Sequence, residues 1–145
     1  MYHKVLIPLD GSKLAECALP HVRNLAQGVH IEEVILLSVA MFNPPYGIIE
    51  GEIDLVPARA TKINELQDYL DAVQVQLTAE GIKVETTVII SVNPAHTILD
   101  YAWTNSIDLI VMATHGYTGV KRMLLGSVVY EILRKSHMPV LLVRA

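Results

Sequence analysis

The chain has 145 residues, 52% of them hydrophobic and 18% charged, with a formal net charge of −4. The length suits one domain, residues 1–145, with a real hydrophobic core. The charge argues against nucleic acid as the main partner, and a single cysteine, Cys17, excludes an internal disulfide framework and fits a reducing cytoplasm.

The hydrophobic fraction exceeds that of an average domain. Either the core is unusually complete or some apolar surface is covered by another subunit. No apolar run has the length of a membrane span; Val34–Val39 and Val140–Val143 are strand-sized. The opening MYHKVLIPLDG carries charge too early, and is too short, for a secretory leader. A cytoplasmic protein with no membrane association is expected.

His3–Leu9 reads as a buried strand, with Pro8 near its end. Asp10-Gly11-Ser12 then turns the chain, and Ser12 suits a helix N-cap. Lys13–Ala26 follows as a helix that Pro20 should kink, with Cys17 as a small buried residue on it. Ile31–Ala40 is a second strand. Met41–Val56, with Pro44-Pro45 and Gly47, has no period and reads as a loop beside the strand ends. Ala58–Glu80 is the longest helix, with Ile63, Leu66, Leu70, Val73 and Leu77 on one stripe, and Gly81 stops it. Ile82–Ser91 alternates as a third strand. Pro94 opens a short helix over Ala95–Trp103, in which Trp103 reads as a packing residue. Ile107–Met112 is a fourth strand, Ser127–Lys135 a last helix with Ser127 as its cap, and Val140–Val143 a fifth strand.

Strands alternating with helices predict an α/β fold: a doubly wound, open, five-stranded parallel sheet with helices on both faces. The strands read as unbroken apolar runs, as expected when both faces are covered. In such sheets ligands sit at the carboxyl ends of the strands, where the order reverses. An order of 3-2-1-4-5 would set the Asp10-Gly11-Ser12 turn against the stretch Ala113–Ser127, ATHGYTGVKRMLLGS. That stretch leaves a strand, passes through glycines and opens a helix. Glycines let backbone approach an anion, and a helix start offers unpaired N–H groups. It is neither a P-loop nor a dinucleotide fingerprint. Phosphate binding and an ordinary surface loop are both open on this stretch alone.

The chain resembles the universal stress proteins. The resemblance runs through VLIPLDGS (Val5–Ser12), ILLSV (Ile35–Val39), IVMATHG (Ile110–Gly116), LLGSV (Leu124–Val128) and MPVLLVR (Met138–Arg144). Nucleotide-binding members carry G-x-x-G, nine residues, then G-[ST]. Gly116, Tyr117–Leu125 and Gly126-Ser127 match this pattern, and Ala113 replaces its first glycine. The resemblance implies an adenine-nucleotide site. Asp10 would bind ribose or help place a metal. Val39 would offer backbone to the adenine edge. Met112 and Ala113 would flank adenine and ribose, and Gly116, Gly126, Ser127 and Val128 would cradle phosphates. Pro8 and His115 complete the candidate set. Alanine at 113 is strained if the position needs φ > 0 and costs almost nothing if it is extended.

Local roles compete with these. Asp10 could simply brace its turn, Ser127 could simply cap its helix, and His115 could approach the phosphates or merely satisfy loop backbone; Lys121 and Arg122 could neutralise phosphate charge or form a solvated loop tip. The other histidines show no metal-ligand spacing, so no protein-held metal site is expected; Asp10 or Ser127 would lie near nucleotide-bound Mg2+. No nucleophile–base pair is visible, which favours a binding module over a catalyst. The expected ligand is ATP, AMP or ADP, with Mg2+. The function implied is a stress-response sensor, with slow ATP hydrolysis, phosphotransfer or a nucleotide-independent structural dimer as alternatives. The closing strand Val140–Val143 is an expected sheet edge, and members of the family commonly dimerise through it.

Overall fold

The computed structural model describes residues 1–28, 30–41, 56–114 and 125–145. Along these run β1 (Lys4–Pro8), α1 (Lys13–Glu16), α2 (Leu19–Gly28), β2 (Glu33–Ala40) and α3 (Val56–Ala79). They are followed by β3 (Val84–Ile90), α4 (Pro94–Thr104), β4 (Leu109–Thr114), α5 (Ser127–Lys135) and β5 (Val140–Arg144). The strands form one parallel sheet, as the alternation of elements predicts, in the order β3-β2-β1-β4-β5 that sets the two polar turns together.

Side chains alternate across each strand, so every apolar run feeds two cores. Val5, Ile7, Val34, Leu36, Leu109 and Val111 meet Val22 of α2 and Leu70, Val73 and Leu77 of α3 on one face. Leu6, Ile35, Leu37, Ile110 and Met112 meet Ile98 and Ala102 of α4 and Ile132 of α5 on the other. Each fully buried Leu or Ile contributes about 1.5–3 kcal/mol relative to exposure. The buried residues of α3 recur at 66, 70, 73 and 77, the spacing of one helical stripe.

The expected helix over Lys13–Ala26 is two helices. Pro20 has no N–H to bond the carbonyl four residues back, and its ring crowds that carbonyl. The chain instead tightens at the joint: the N–H groups of Cys17 and Ala18 bond Leu14 O at 3.1 Å and Ala15 O at 3.2 Å. Cys17 sits in this joint half-buried, not in the core. Trp103, expected to pack, is 72% exposed and meets His137 edge-on, with ring centroids 6.1 Å apart. It lies at the end of α4, beyond the stripe that Ile98 and Ala102 bury.

The two sheet edges differ. Val34 N–H bonds Lys83 O at 2.9 Å, so alternate β3 residues starting from Lys83 face β2, and Val84 and Thr86 turn their backbone outward. Gln74 of α3 donates to Val84 O at 2.7 Å, and Gln67 donates to Thr86 Oγ1 at 2.9 Å. On β5, Pro139 O takes Ile110 N–H and Ala145 N–H bonds Thr114 O, so Val140 and Leu142 direct their N–H and C=O groups outward.

At the amino ends of the strands the buried Glu33 lies 2.6 Å from Lys83 Nζ and 3.7 Å from Lys4 Nζ. The hydrogen bond from Lys83 outweighs burial and holds the Glu33 carboxyl below the usual carboxylate range. Among the described residues no helix is long and apolar enough to cross a membrane.

Candidate functional site

A cleft of about 310 Å3 opens at the carboxyl ends of the strands. It lies where the chain order changes direction, since β1 is flanked by β2 on one side and β4 on the other. The end of β1, the turn after it, the ends of β2 and β4, the first turn of α4 and the start of α5 all reach it.

The turn after β1 is held by its own side chains. Asp10 Oδ1 accepts from Ser12 N–H at 2.9 Å and from Ser12 Oγ at 2.6 Å. Ser12 Oγ in turn accepts from Ala15 N–H at 3.1 Å, the N-cap bond expected of it. Gly11 sits at φ +86°, a conformation that costs other L-residues about 1–2 kcal/mol. Asp10 therefore does brace its turn, but with one oxygen. Its Oδ2 has no hydrogen-bond partner among the described residues, and the side chain is exposed.

β2 outlasts β1 and presents bare backbone. Glu33 N–H bonds His3 O at 3.0 Å and Leu9 N–H bonds Leu37 O at 2.9 Å. These two bonds fix the odd-numbered residues of β2 as those facing β1. Val39 is the next of them, and β1 has ended at Pro8. Its N–H and C=O have no partner among the described residues and face the cleft that Val39 lines.

The start of α5 offers donors. Gly126 is the N-cap, at φ −57° and ψ 151°, and supplies no side-chain cap. The first backbone bond of the helix is Tyr130 N–H to Gly126 O at 2.9 Å. The N–H groups of Ser127, Val128 and Val129 are therefore left without a partner among the described residues. Ser127 is the first helical residue and not the cap; a residue cannot cap a helix whose first turn it already belongs to. Gly126 through Val129 all line the cleft. The dipole adds positive potential there, and Arg134 and Lys135 balance its other end.

Ala113 lies within β4, opposite Val143, and its φ is not positive. Alanine is thus unstrained at the position where the family pattern has glycine. Met112 is buried, Ala113 and Pro8 are half-buried, and all three line the cleft. Eight of the sequence-predicted residues thus converge on one cleft: Pro8, Asp10, Val39, Met112, Ala113, Gly126, Ser127 and Val128. His115, Gly116, Lys121 and Arg122 lie outside the described residues, as does the expected loop apart from its ends at Met41 and Val56.

The cleft also takes Leu14 and Ala15 from α1, Leu37 from β2, and Pro94 and Ile98 from α4. Sequence reasoning missed these. Their apolar periodicity marks core, and only the packing of α1 and α4 around the strand ends turns them into an apolar wall. Among the described residues no group of three or more His, Cys, Asp or Glu could hold a metal ion.

Comparison with known proteins agrees with this architecture. The profile of the universal stress protein family matches residues 1–144. Universal stress protein MJ0531 of Methanocaldococcus jannaschii is 35% identical over 145 residues, spanning 99% of this chain and 83% of that protein. Universal stress protein YxiE of Bacillus subtilis is 32% identical, spanning 99% of this chain and 100% of its own. Universal stress protein MJ0577 of M. jannaschii is 32% identical over 157 residues, spanning 99% and 96%. The solved structure of MJ0577 superposes with a TM-score of 0.76 at 34% identity, covering 100% of this chain and 97% of that one. The chain belongs to the universal stress protein family.

Proposed function

We propose that the cleft binds an adenine nucleotide, ATP or a lower phosphate, and that the protein works as a dimeric nucleotide-responsive module in stress signalling. The observation that carries this reading is the uncapped start of α5. Three consecutive N–H groups, a positive dipole end and a glycine at the cap make an anion site. The same cleft holds the bare Val39 edge, an acceptor beside a donor, which complements the amine and ring nitrogen of adenine. The apolar wall of Leu37, Met112 and Ile98 suits the base, and Asp10 Oδ2, without a hydrogen-bond partner among the described residues, suits ribose. If a divalent cation accompanies the phosphates, Asp10 Oδ2 and the Ser127 hydroxyl are the oxygens placed to meet it or its water shell. The cation would neutralise phosphate charge.

Binding, not turnover, is the activity proposed. Among the described residues the carboxylate of the lining is Asp10, which is tied to the Ser12 hydroxyl and serves the turn. The dimer would form by antiparallel pairing of β5 across a two-fold axis, using the outward groups of Val140 and Leu142. A single domain covering the chain is part of the same reading.

The test is direct. The purified protein is denatured and any released nucleotide identified by mass spectrometry, and the stripped protein is then titrated with ATP and Mg2+ by calorimetry. Saturable binding at one site per chain is expected. No released nucleotide together with no binding would refute the reading and leave a structural dimer.

A further inference from the structure

We propose that the buried Ser38 hydroxyl is a positioning group that ends the β1–β2 ladder one bond early and so reserves the Val39 N–H for ligand. What that N–H meets rests on the nucleotide reading above; the ladder break does not.

Ser38 is the one hydroxyl in the otherwise apolar stretch Val34–Ala40, and it is 0% exposed. It shares a strand face with Val34 and Leu36, which belong to the core under α2 and α3. A hydroxyl buried there is costly unless it is bonded. It donates to Leu9 O at 2.7 Å. The ladder leading to this point is regular: Leu9 N–H bonds Leu37 O at 2.9 Å. In a parallel ladder a residue that donates to one neighbour accepts from the residue two further along. Leu9 O should therefore take Val39 N–H. That bond is not made. Ser38 Oγ approaches from the α2–α3 side and draws the carbonyl out of the sheet. Leu9 immediately precedes Asp10, so the same hydrogen bond also fixes where the Asp10 turn departs.

Amide hydrogen exchange followed by NMR tests this in the full chain. In the ligand-free protein the Val39 amide should exchange on the order of a hundredfold faster than that of Leu37, whose neighbours are paired. In Ser38→Ala, Leu9 O is released to Val39, and the Val39 amide should become protected without ligand. ATP affinity should fall roughly threefold to tenfold, the worth of one neutral hydrogen bond, while affinity for tripolyphosphate, which reads only α5, stays unchanged. Val39→Pro deletes the same donor on an unpaired edge. It should fold, show the same loss for ATP, and add nothing in combination with Ser38→Ala. A Val39 amide already protected in the parent protein, or one whose exchange Ser38→Ala leaves alone, would overturn the proposal. If the amides behave as expected but ATP does not bind the parent protein, the ladder break stands and the nucleotide reading falls.

Discussion

Replacing Gly126 with Asp should make the protein more stable and unable to bind nucleotide. Gly126 lies at φ −57° and ψ 151°, an extended conformation open to any residue, so the backbone does not require glycine there. As N-cap, an aspartate would accept from the N–H of Val128 or Val129, both without a partner among the described residues. Cap and dipole together should contribute about 0.5–1 kcal/mol, or a rise of about 1–4 °C in Tm for a chain of this size. The same N–H groups are those proposed to hold phosphate. A carboxylate about 4 Å from a phosphate charge, at an effective dielectric near 20, is repelled by about 4 kcal/mol. That corresponds to a loss of roughly a thousandfold in affinity. Differential scanning calorimetry and ATP titration of one preparation give both readouts. If Gly126→Asp binds ATP like the parent, the helix start is not the phosphate site. If its Tm falls, the N–H groups were not unpaired, and the reasoning fails at its first step.

Three further outcomes follow from the geometry. Gly11→Ala, at φ +86° with open space around it, should lose about 1–2 kcal/mol through backbone strain alone; a neutral effect in urea unfolding would contradict the assigned turn. Lys83→Met should move the acid-unfolding midpoint to higher pH. The depressed Glu33 pKa stabilises the fold above the usual carboxylate range, and that stability is lost as pH falls through the folded-state value. Without Lys83 the folded pKa rises toward the unfolded one, so the contribution shrinks and vanishes earlier on acidification; an unchanged midpoint by circular dichroism would count against the pairing. Leu142→Pro removes an outward N–H from an edge strand without touching the β4–β5 ladder. Analytical ultracentrifugation should find a folded monomer, and an unchanged dimer would place the interface elsewhere.

Much of the fold is legible in the sequence because hydrophobic period and punctuation agree. Ser127–Lys135 has the bounds read from it, since Gly126 and Pro139 fence it. The strand order is legible only through the two polar turns, which 3-2-1-4-5 sets face to face, since right-handed crossovers alone admit other orders. The split between α1 and α2 is legible only as a kink at Pro20, because whether a proline bends or breaks a helix depends on what the freed carbonyls can reach. Cap identity at α5 is missed for a related reason: Ser127 has the side chain of a cap, but the backbone of Gly126 occupies that place. The consequence for function is large, since an uncapped helix start keeps its donors available. Ala113 shows the converse. Its departure from the glycine pattern suggests strain, and its place in β4 removes it. Val39 is visible as a position, but that its N–H has no partner among the described residues depends on where the β1–β2 ladder ends, and Ser38 and Leu9, which meet there, are 29 residues apart in sequence.

The unequal sheet edges bear on how far assembly can run. Two chains joined through β5 would make a ten-stranded sheet bounded on both sides by β3. There the amide of Gln74 already occupies Val84 O, a backbone group that an incoming strand would need, and Gln67 holds the neighbouring Thr86 hydroxyl against α3. Growth would stop at two copies, because the surface that recruits is consumed and the surfaces left over are blunted. Raising the concentration would then fill dimers without seeding filaments.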